Sequence, residues 1–287
     1  MFFAAVFGVA LYPELKQGED SKLMSILKEM DKVFTRVLTW IISLTPFAVL
    51  SLIAASIGEQ NDLGHMFSNI GLLLAASLLG WTLQIGVVYI GLFALLTRSN
   101  PFSYLKHILP AQMVAFVTAS SACTIPTSLE SVKSTGKVPD VIARFVIPFG
   151  AIVNMDGSAV YFACACIWLA VLNGEEITPV SFLILIIICT MGSIGTAPVP
   201  SAGLVLILTA YHTVFGGEGT VPTGFGYIFA IDWFMDRMQT MGNITGDCML
   251  AGIVAHRCSL DGEDTLTATD NIAEGSSSDE DEENMRV

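Results

Sequence analysis

The chain has 287 residues, of which 53% are hydrophobic and only 14% are charged. About a quarter of the residues of a soluble domain are charged, so this composition excludes an ordinary soluble enzyme or binding domain. The net charge of −13 comes mainly from the tail, because residues 261–287 contain ten carboxylates and one arginine.

Four stretches in chain order reach the roughly 18–20 apolar residues that cross a bilayer. They are residues 33–57, 70–96, 145–172 and, less regularly, 180–215. The sequence therefore predicts an all-α polytopic membrane protein. Residues 260–287, which are acidic and have almost nothing to bury, are predicted to form a disordered cytoplasmic tail.

The positions of lysine and arginine predict the topology, because cytoplasmic loops are enriched in these residues. Stretches 16–36, 98–106 and 133–144 contain them and are assigned to the cytoplasm, whereas 58–68, 173–179 and 216–222 contain none. The segment between 98–106 and 133–144 joins two cytoplasmic loops, and the segment between 173–179 and 216–222 joins two outside loops. Each segment must therefore enter and leave the membrane on the same face.

Each of these segments has a helix breaker near its middle. The first contains TASSACTIPTS with Pro126, and the second contains GSIGTAPVPSAG with Pro198 and Pro200. Non-helical backbone at membrane depth persists only inside protein or beside a wet cavity. The pattern predicts two opposed re-entrant helical hairpins, a plan typical of transporters with a binding site near the midplane. Two ordinary helix pairs with short turns are the alternative.

Polar residues interrupt two other apolar segments. Asn154, Asp156 and Gly157 lie in the middle of one, and the last helix places its polar residues on a single stripe roughly 100° wide. That stripe consists of Asp232, Asp236, Gln239, Thr240, Asn243 and Asp247. Buried carboxylates are costly without a cation, and few lysines or arginines are near. Sodium, bound by carboxylate, amide and main-chain oxygens where Gly157 lets the helix unwind, fits this pattern. A kink satisfied by a neighbouring helix is the alternative.

Four motifs occur in order: SSACTIP, NMDGS, PVPSAGL and DWFMDRMQTMGNITGD. Together they resemble the dicarboxylate/amino-acid:cation (sodium) symporters, which include the glutamate and neutral amino-acid transporters, over residues 1 to about 256. The resemblance implies a homotrimer that works as an elevator, with a scaffold and a mobile transport core. About three helices that precede this region in the family have no counterpart here, so we expect a fragment or a truncated product.

The resemblance also implies a domain division. Residues 1–68 correspond to part of the scaffold, and residues 69–259 correspond to the transport core. Within the core we expect a helix at 69–97, a re-entrant hairpin at 104–133, a broken helix at 142–172, a second re-entrant hairpin at 180–215 and a polar helix at 222–258.

Site residues follow from the same motifs. The implied substrate-binding residues are Ser120, Ser121, Ala122, Ser158, Val199, Pro200, Gly203, Asp236, Gln239, Thr240 and Asn243. The implied sodium ligands are Gly150, Asn154, Asp156, Ser193, Ile194, Thr196, Asn243 and Asp247. No organic cofactor and no nucleic-acid partner are expected; the expected partners are an amino acid and the lipid bilayer.

Departures from the family pattern bear on the substrate. Acidic amino-acid carriers have an arginine where Gln239 stands, and a bidentate charged pair is hard to replace. We therefore expect a neutral amino acid such as serine, alanine, threonine, asparagine or glutamine. Proton-coupled members have a glutamate where Phe162 stands, and Ile152 replaces a threonine near a sodium site, whereas Ser158 keeps the hydroxyl of a threonine.

Other functions stay open at this point. An acidic amino-acid symporter is the first alternative, and an inactive fragment or channel-like subunit is the second. An intramembrane aspartyl protease using Asp156 and Asp247 is a third, although it gives the hairpin tips no purpose. The expected location is the plasma membrane, with a cytoplasmic C-terminus.

Overall fold

The computed structural model describes residues 63–217 and 220–283, together with isolated helical positions between 25 and 51. Side chains are described for residues 68–217 and 220–258 and at those isolated positions. The predicted span 33–57 and most of the predicted scaffold region 1–68 therefore lie outside the described residues.

Within the described ranges every regular element is helical, which confirms the predicted all-α class. The elements in chain order are α1 (Leu63–Leu83), a π-helical turn (Gln84–Tyr89), α2 (Ile90–Thr97), α3 (Pro101–Thr118), α4 (Ser121–Ser134), α5 (Asp140–Val153), α6 (Asp156–Leu172), α7 (Pro179–Ile194), α8 (Gly203–Phe215) and α9 (Phe225–Glu283).

Two helical stretches of the described chain, Ser68–Thr97 and Asp140–Leu172, are long and apolar enough to cross a membrane. Two shorter apolar helices, Pro179–Ile194 and Gly203–Phe215, cannot cross singly. The second long stretch contains the break between α5 and α6.

Helices α3 and α4 pack against each other and are joined by only two residues, Ala119 and Ser120, which we call the first tip. Ala119 adopts a left-handed conformation with φ of 50°, and Ser120 is extended and accepts a hydrogen bond from Cys123 N at 3.3 Å as the N-cap of α4. The break lies within the predicted segment TASSACTIPTS, but the expectation that Pro126 makes it was wrong, since Pro126 lies inside α4. The turn is made by the left-handed residue and the serine cap instead.

Helices α7 and α8 also pack against each other, and residues 195–202 between them form what we call the second tip. Here the break is where the prolines predict it, because Pro198 and Pro200 both lie in the irregular segment. Ser201 has φ of 60°, a region that costs a non-glycine residue about 1–2 kcal/mol.

The central break falls at Asn154 and Met155, whose ψ angles of 76° and 46° are not helical. The expectation that Gly157 supplies the flexibility for unwinding was wrong, because Gly157 lies in the first turn of α6. A Cβ atom at Gly157 would collide with the main-chain oxygen of Gln239. The glycine is therefore required for close approach of α6 and α9.

Helix α9 packs against α3, α4, α5 and α6, and two apolar cores lie along it. One core includes Tyr161 and Phe162 of α6, and the other includes Ile147 of α5 and Ile244 of α9. In chain order the polar break lies between these two apolar regions, so its groups must be satisfied locally.

The helical backbone of α9 continues to Glu283, whereas the composition of residues 260–287 predicts a disordered tail. This last part is acidic and has little apolar surface that packing could bury. Disorder of the tail in solution stays a prediction.

Candidate functional site

The two tips meet beside the first third of α9. Ser120 Oγ of the first tip donates a hydrogen bond to the Pro198 carbonyl of the second tip at 2.8 Å. A small cavity, the tip cavity, lies between the tips, the start of α6 and α9. Its volume is about 10 Å³ on the scale where one water molecule needs roughly 10–15 Å³, so a ligand larger than water requires a tip to move.

Eight of the eleven residues expected to bind substrate line the tip cavity. These are Ser121, Ser158, Val199, Gly203, Asp236, Gln239, Thr240 and Asn243. The other three do not line it: Ser120 is buried behind it, Ala122 is exposed on α4, and Pro200 is half-buried in the second tip. Six further residues line the cavity and were not predicted to bind substrate. Some have no distinctive chemistry, and others had been assigned a different role. They are Ala119, Met155, Thr196, Ala197, Pro198 and Ala202.

Asp236 is 5% exposed, and both its carboxylate oxygens accept hydrogen bonds. Oδ2 accepts from the main-chain amide of Ser201 at 3.0 Å, and Oδ1 accepts from Gln239 Nε2 at 2.6 Å. Thr240 Oγ1 donates to the Asp236 carbonyl at 2.7 Å, inside the helix. None of these partners carries a full positive charge, so the carboxylate can bind an ammonium group.

Gln239 is 4% exposed, and its side-chain orientation follows from its neighbour, because a carboxylate only accepts hydrogen bonds. With Nε2 facing Asp236, Gln239 Oε1 is a buried acceptor without a partner among the described residues. Arg237 does not compensate: its Nη1 donates to the Trp233 carbonyl at 2.7 Å, and its guanidinium lies 4.0 Å from the centre of the Trp233 ring.

Asn243 joins α9 to the start of α6. Its Oδ1 accepts from the amides of Gly157 at 2.8 Å and Ser158 at 3.3 Å, and its Nδ2 lies 3.3 Å from Ser158 Oγ. The amides at a helix N-terminus otherwise lack partners. In this structure the side chain that was expected to bind a carboxylate caps α6.

Asp247 is completely buried, and it lies one turn of α9 beyond Asn243. Asn154 Nδ2 donates to Asp247 Oδ1 at 3.0 Å, while Asp247 Oδ2 has no hydrogen-bond partner among the described residues. A Cβ atom at Gly150 would collide with this carboxylate, so the glycine allows the close approach. A buried carboxylate oxygen without a donor fits a bound cation, and Asn154 and the Gly150 main chain bring further oxygens.

Asp156 accepts one hydrogen bond from its own helix and one from the π-helical turn. Its Oδ1 accepts from Gly157 N at 2.9 Å, and its Oδ2 accepts from Tyr89 Oη. Trp81 Nε1 donates to the Gly157 carbonyl at 2.8 Å. The sequence analysis missed Trp81 and Tyr89, because both lie in a stretch that was identified only as an apolar span.

The residues expected to bind sodium under the second tip line two different cavities. Ser193 and Ile194 line a second cavity of about 530 Å³, together with Gly150, Asn154 and Asp156, whereas Thr196 lines the tip cavity. Within the described residues no group of three or more His, Cys, Asp or Glu is arranged to hold a metal ion.

The other departures from the family pattern also have structural positions. Phe162 is 1% exposed, and a Cβ atom at Gly203 would collide with its ring, so Phe162 packs under the start of α8. Ile152 is 47% exposed and lines neither cavity.

Comparison with known proteins places this geometry in a family. Residues 1–257 match the model of the sodium:dicarboxylate symporter family. The chain is 31% identical over 256 residues to neutral amino acid transporter A of Homo sapiens, an alignment that covers 89% of this chain and 47% of that protein.

Two further relatives have similar scores. The chain is 33% identical over 254 residues to excitatory amino acid transporter 1 of Ambystoma tigrinum, covering 88% of this chain and 46% of that protein. It is 32% identical over 255 residues to neutral amino acid transporter B(0) of Oryctolagus cuniculus, again covering 88% and 46%. The chain thus spans about half the length of these curated relatives.

These relatives are transporters, so the prediction of a transporter family rather than a protease is confirmed. The names divide between neutral and excitatory amino acids and do not resolve the substrate class. The match covers all the described helices up to the middle of α9, and the four motifs lie within it. The chain belongs to the sodium:dicarboxylate symporter family.

Proposed function

We propose that this chain forms the substrate- and sodium-binding core of a transporter that couples the movement of a small neutral amino acid to sodium. The observation on which the substrate class rests is the unpartnered Gln239 Oε1 beside Asp236. A buried acceptor favours a hydroxyl or amide donor on the substrate and repels a carboxylate.

Binding of the amino acid divides between the tips and α9. Asp236 takes the ammonium group on the lone pairs that the Ser201 amide and Gln239 Nε2 leave free. The substrate carboxylate is bound near Ser121, where the amides of the first turn of α4 are available. The substrate side chain lies against Gln239 and Thr240.

Sodium is the coupled ion in this proposal. Asp247 and Asn154 hold one ion with main-chain oxygen from Gly150, and Asp156 contributes to a second. Ser193, Ile194 and Thr196 offer main-chain carbonyls for a third when the second tip closes. Because the first two ions neutralise buried carboxylates and the third binds when the second tip closes, substrate and sodium stabilise the same closed arrangement.

The rest of the proposal concerns the whole protein. The two tips and their helices are re-entrant hairpins in the bilayer. The protein is a homotrimer in which each core moves as an elevator against a scaffold. It lies in the plasma membrane, with its C-terminus in the cytoplasm. The support is the family match and the pair of short apolar helices, α7 and α8.

The test is thermal stabilisation of the purified full-length protein by amino acids, with sodium or with choline. A ligand that binds only the folded state raises the unfolding temperature according to its affinity. We expect serine, alanine, threonine, asparagine or glutamine to stabilise it only with sodium. Stronger stabilisation by aspartate or glutamate would favour the acidic class, and no stabilisation by any amino acid would overturn the proposal.

A further inference from the structure

The π-helical turn between α1 and α2 presents two polar side chains to the central break. Main-chain hydrogen bonds in a π-helix join residues i and i+5, so residues five apart lie on the same face. In an α-helix, with 100° per residue, they would point in different directions. Gln84 and Tyr89 are the first and last residues of this turn, and Gln84 Nε2 donates to Tyr89 Oη at 2.9 Å. Such turns are frequent at functional sites.

The Tyr89 hydroxyl reaches the middle of the broken helix. It donates to Asp156 Oδ2, and the Tyr89 side chain is only 9% exposed. A Cβ atom at Gly246 would lie 2.7 Å from Tyr89 Oη and 3.0 Å from Asn154 Nδ2. The hydroxyl is therefore enclosed by α9 and the break, next to both polar residues of the NMD sequence.

We propose that Tyr89 is a positioning residue that sets the affinity of the Asp156 site for sodium. A carboxylate has about four lone-pair sites, and here Gly157 N and Tyr89 Oη occupy one on each oxygen. The two hydrogen bonds fix the carboxylate plane, so the remaining lone pairs keep one direction. Groups that orient a ligand in this way typically contribute 10–100-fold to metal affinity. This inference rests on the sodium coupling proposed above.

A matched pair of substitutions separates positioning from stability. Tyr104 is also buried in the same core as Tyr89, at 2% exposure, and its Oη donates to the Cys248 carbonyl at 2.8 Å. Tyr89→Phe and Tyr104→Phe each remove one buried hydroxyl and one hydrogen bond. Only Tyr89 contacts a candidate sodium ligand.

The experiment measures the unfolding temperature of the purified full-length protein against sodium chloride at constant ionic strength, with choline as the replacement. We expect Tyr89→Phe to raise the sodium concentration for half-maximal stabilisation about tenfold. Tyr104→Phe should lower the unfolding temperature at every sodium concentration without moving that midpoint. If Tyr89→Phe does not fold, Gln84→Met, which releases the Tyr89 hydroxyl, should move the midpoint in the same direction.

The outcomes distinguish this inference from the function on which it rests. A sodium-dependent wild type with an unchanged or lower midpoint in Tyr89→Phe, or an equal shift in Tyr104→Phe, would overturn the role of Tyr89 alone. A wild type that sodium does not stabilise would overturn the sodium coupling and the inference with it.

Discussion

The two tips close the same cavity with different structures. The first tip has two residues, and Thr124 Oγ1 of α4 donates to the Ser120 carbonyl at 2.8 Å. Its helices also pack against α5 and α9. The second tip has eight residues, 195–202, and its helices pack mainly on α6 and on each other.

The contact between the second tip and α9 indicates that the two tips differ in mobility. Its contact with Asp236 is a single main-chain amide, that of Ser201, and Ser201 is in a strained left-handed conformation. Segments with few buried contacts open at low free-energy cost. We infer that the first tip is a fixed wall and that the second tip opens to admit a ligand.

The largest expected effect comes from Asp236→Asn. Asp236 is shared by the second tip and the proposed ammonium site, and losing one partner of a buried charge pair costs roughly 2–5 kcal/mol. Sodium-dependent stabilisation by serine should fall roughly 100-fold in apparent affinity. Asp140→Asn is the matched control, because Asp140 lies far from the cavity at the start of α5 and should leave serine binding unchanged. Retained affinity in Asp236→Asn would show that another group binds the ammonium.

The next effect concerns selectivity. Gln239→Arg places a guanidinium beside Asp236 and supplies a donor fork for a side-chain carboxylate. The ratio of affinities for aspartate and serine should shift toward aspartate by roughly 10–100-fold, since hydrogen bonds to charged groups contribute 1.5–3 kcal/mol. The same thermal measurement with both amino acids checks it. Gln239→Lys, which adds charge without the planar fork, should give a smaller shift, and an unchanged ratio in Gln239→Arg would contradict the assigned pocket.

Gly157→Ala tests the close contact between α6 and α9. The added methyl group meets the Gln239 carbonyl, so α6 and α9 must separate, at a cost of roughly 1–3 kcal/mol. The unfolding temperature without ligand should fall. Gly71→Ala is the control: its Cβ has no neighbour within 4 Å in α1, and it should be neutral or stabilising by up to about 1 kcal/mol. Equal effects of the two substitutions would contradict the close helix contact.

Ser201 tests the mobile side. Ser201→Pro removes the amide that bonds to Asp236 and cannot adopt positive φ, whereas Ser201→Gly keeps the amide and favours that conformation. We expect proteolysis within 195–202 in the absence of ligand to be faster in Ser201→Pro and slower in Ser201→Gly. The same rate in both would mean that this amide does not hold the tip closed.

The smallest effect is the dependence on pH near the proposed cytoplasmic end of α5. Hydrogen bonds from Lys133 and Arg144 hold the pKa of Asp140 below its ordinary value of 3.8. A lowered folded pKa means that the stabilisation is present above pH 3.8 and is lost as pH falls through the folded pKa. Because Asp140 is exposed, the effect is small. The unfolding temperature of Asp140→Asn should be slightly lower than that of the wild type at pH 7, and the two temperatures should become equal at low pH.

The sequence predicted the parts of the fold that depend on hydrophobicity, and the break where clustered prolines and glycines exclude a regular helix. The second tip was placed by Pro198 and Pro200, because two prolines and nearby glycines leave no regular choice. Pro126 misled, since a proline inside a helix is tolerated when neighbouring groups satisfy the freed carbonyl. Ser120 is a preferred N-cap residue, but Ala119 has no propensity that could have identified it as the left-handed residue.

The site was predicted where polar residues stand out in apolar surroundings, as Asp236, Asn243 and Asp247 do. The roles of Gly157, Trp81 and Tyr89 could not be predicted, because each depends on a contact with a distant helix. Gly157 lies against Gln239 and Asn243 of α9, and Tyr89 reaches Asp156 only through the π-helical turn. A pattern of residues along one helix contains no information about the partner across the interface.

Amide hydrogen exchange at the two tips, with and without sodium and serine, tests most directly that the cavity between them is a ligand site closed by the second tip. Sodium and serine together should strongly slow exchange at residues 196–203, slow it only modestly at 119–121, where the substrate carboxylate adds hydrogen bonds, and have little effect at either tip when serine is added without sodium. Exchange at 196–203 that is indifferent to serine and sodium, or protection confined to the first tip, would contradict this account.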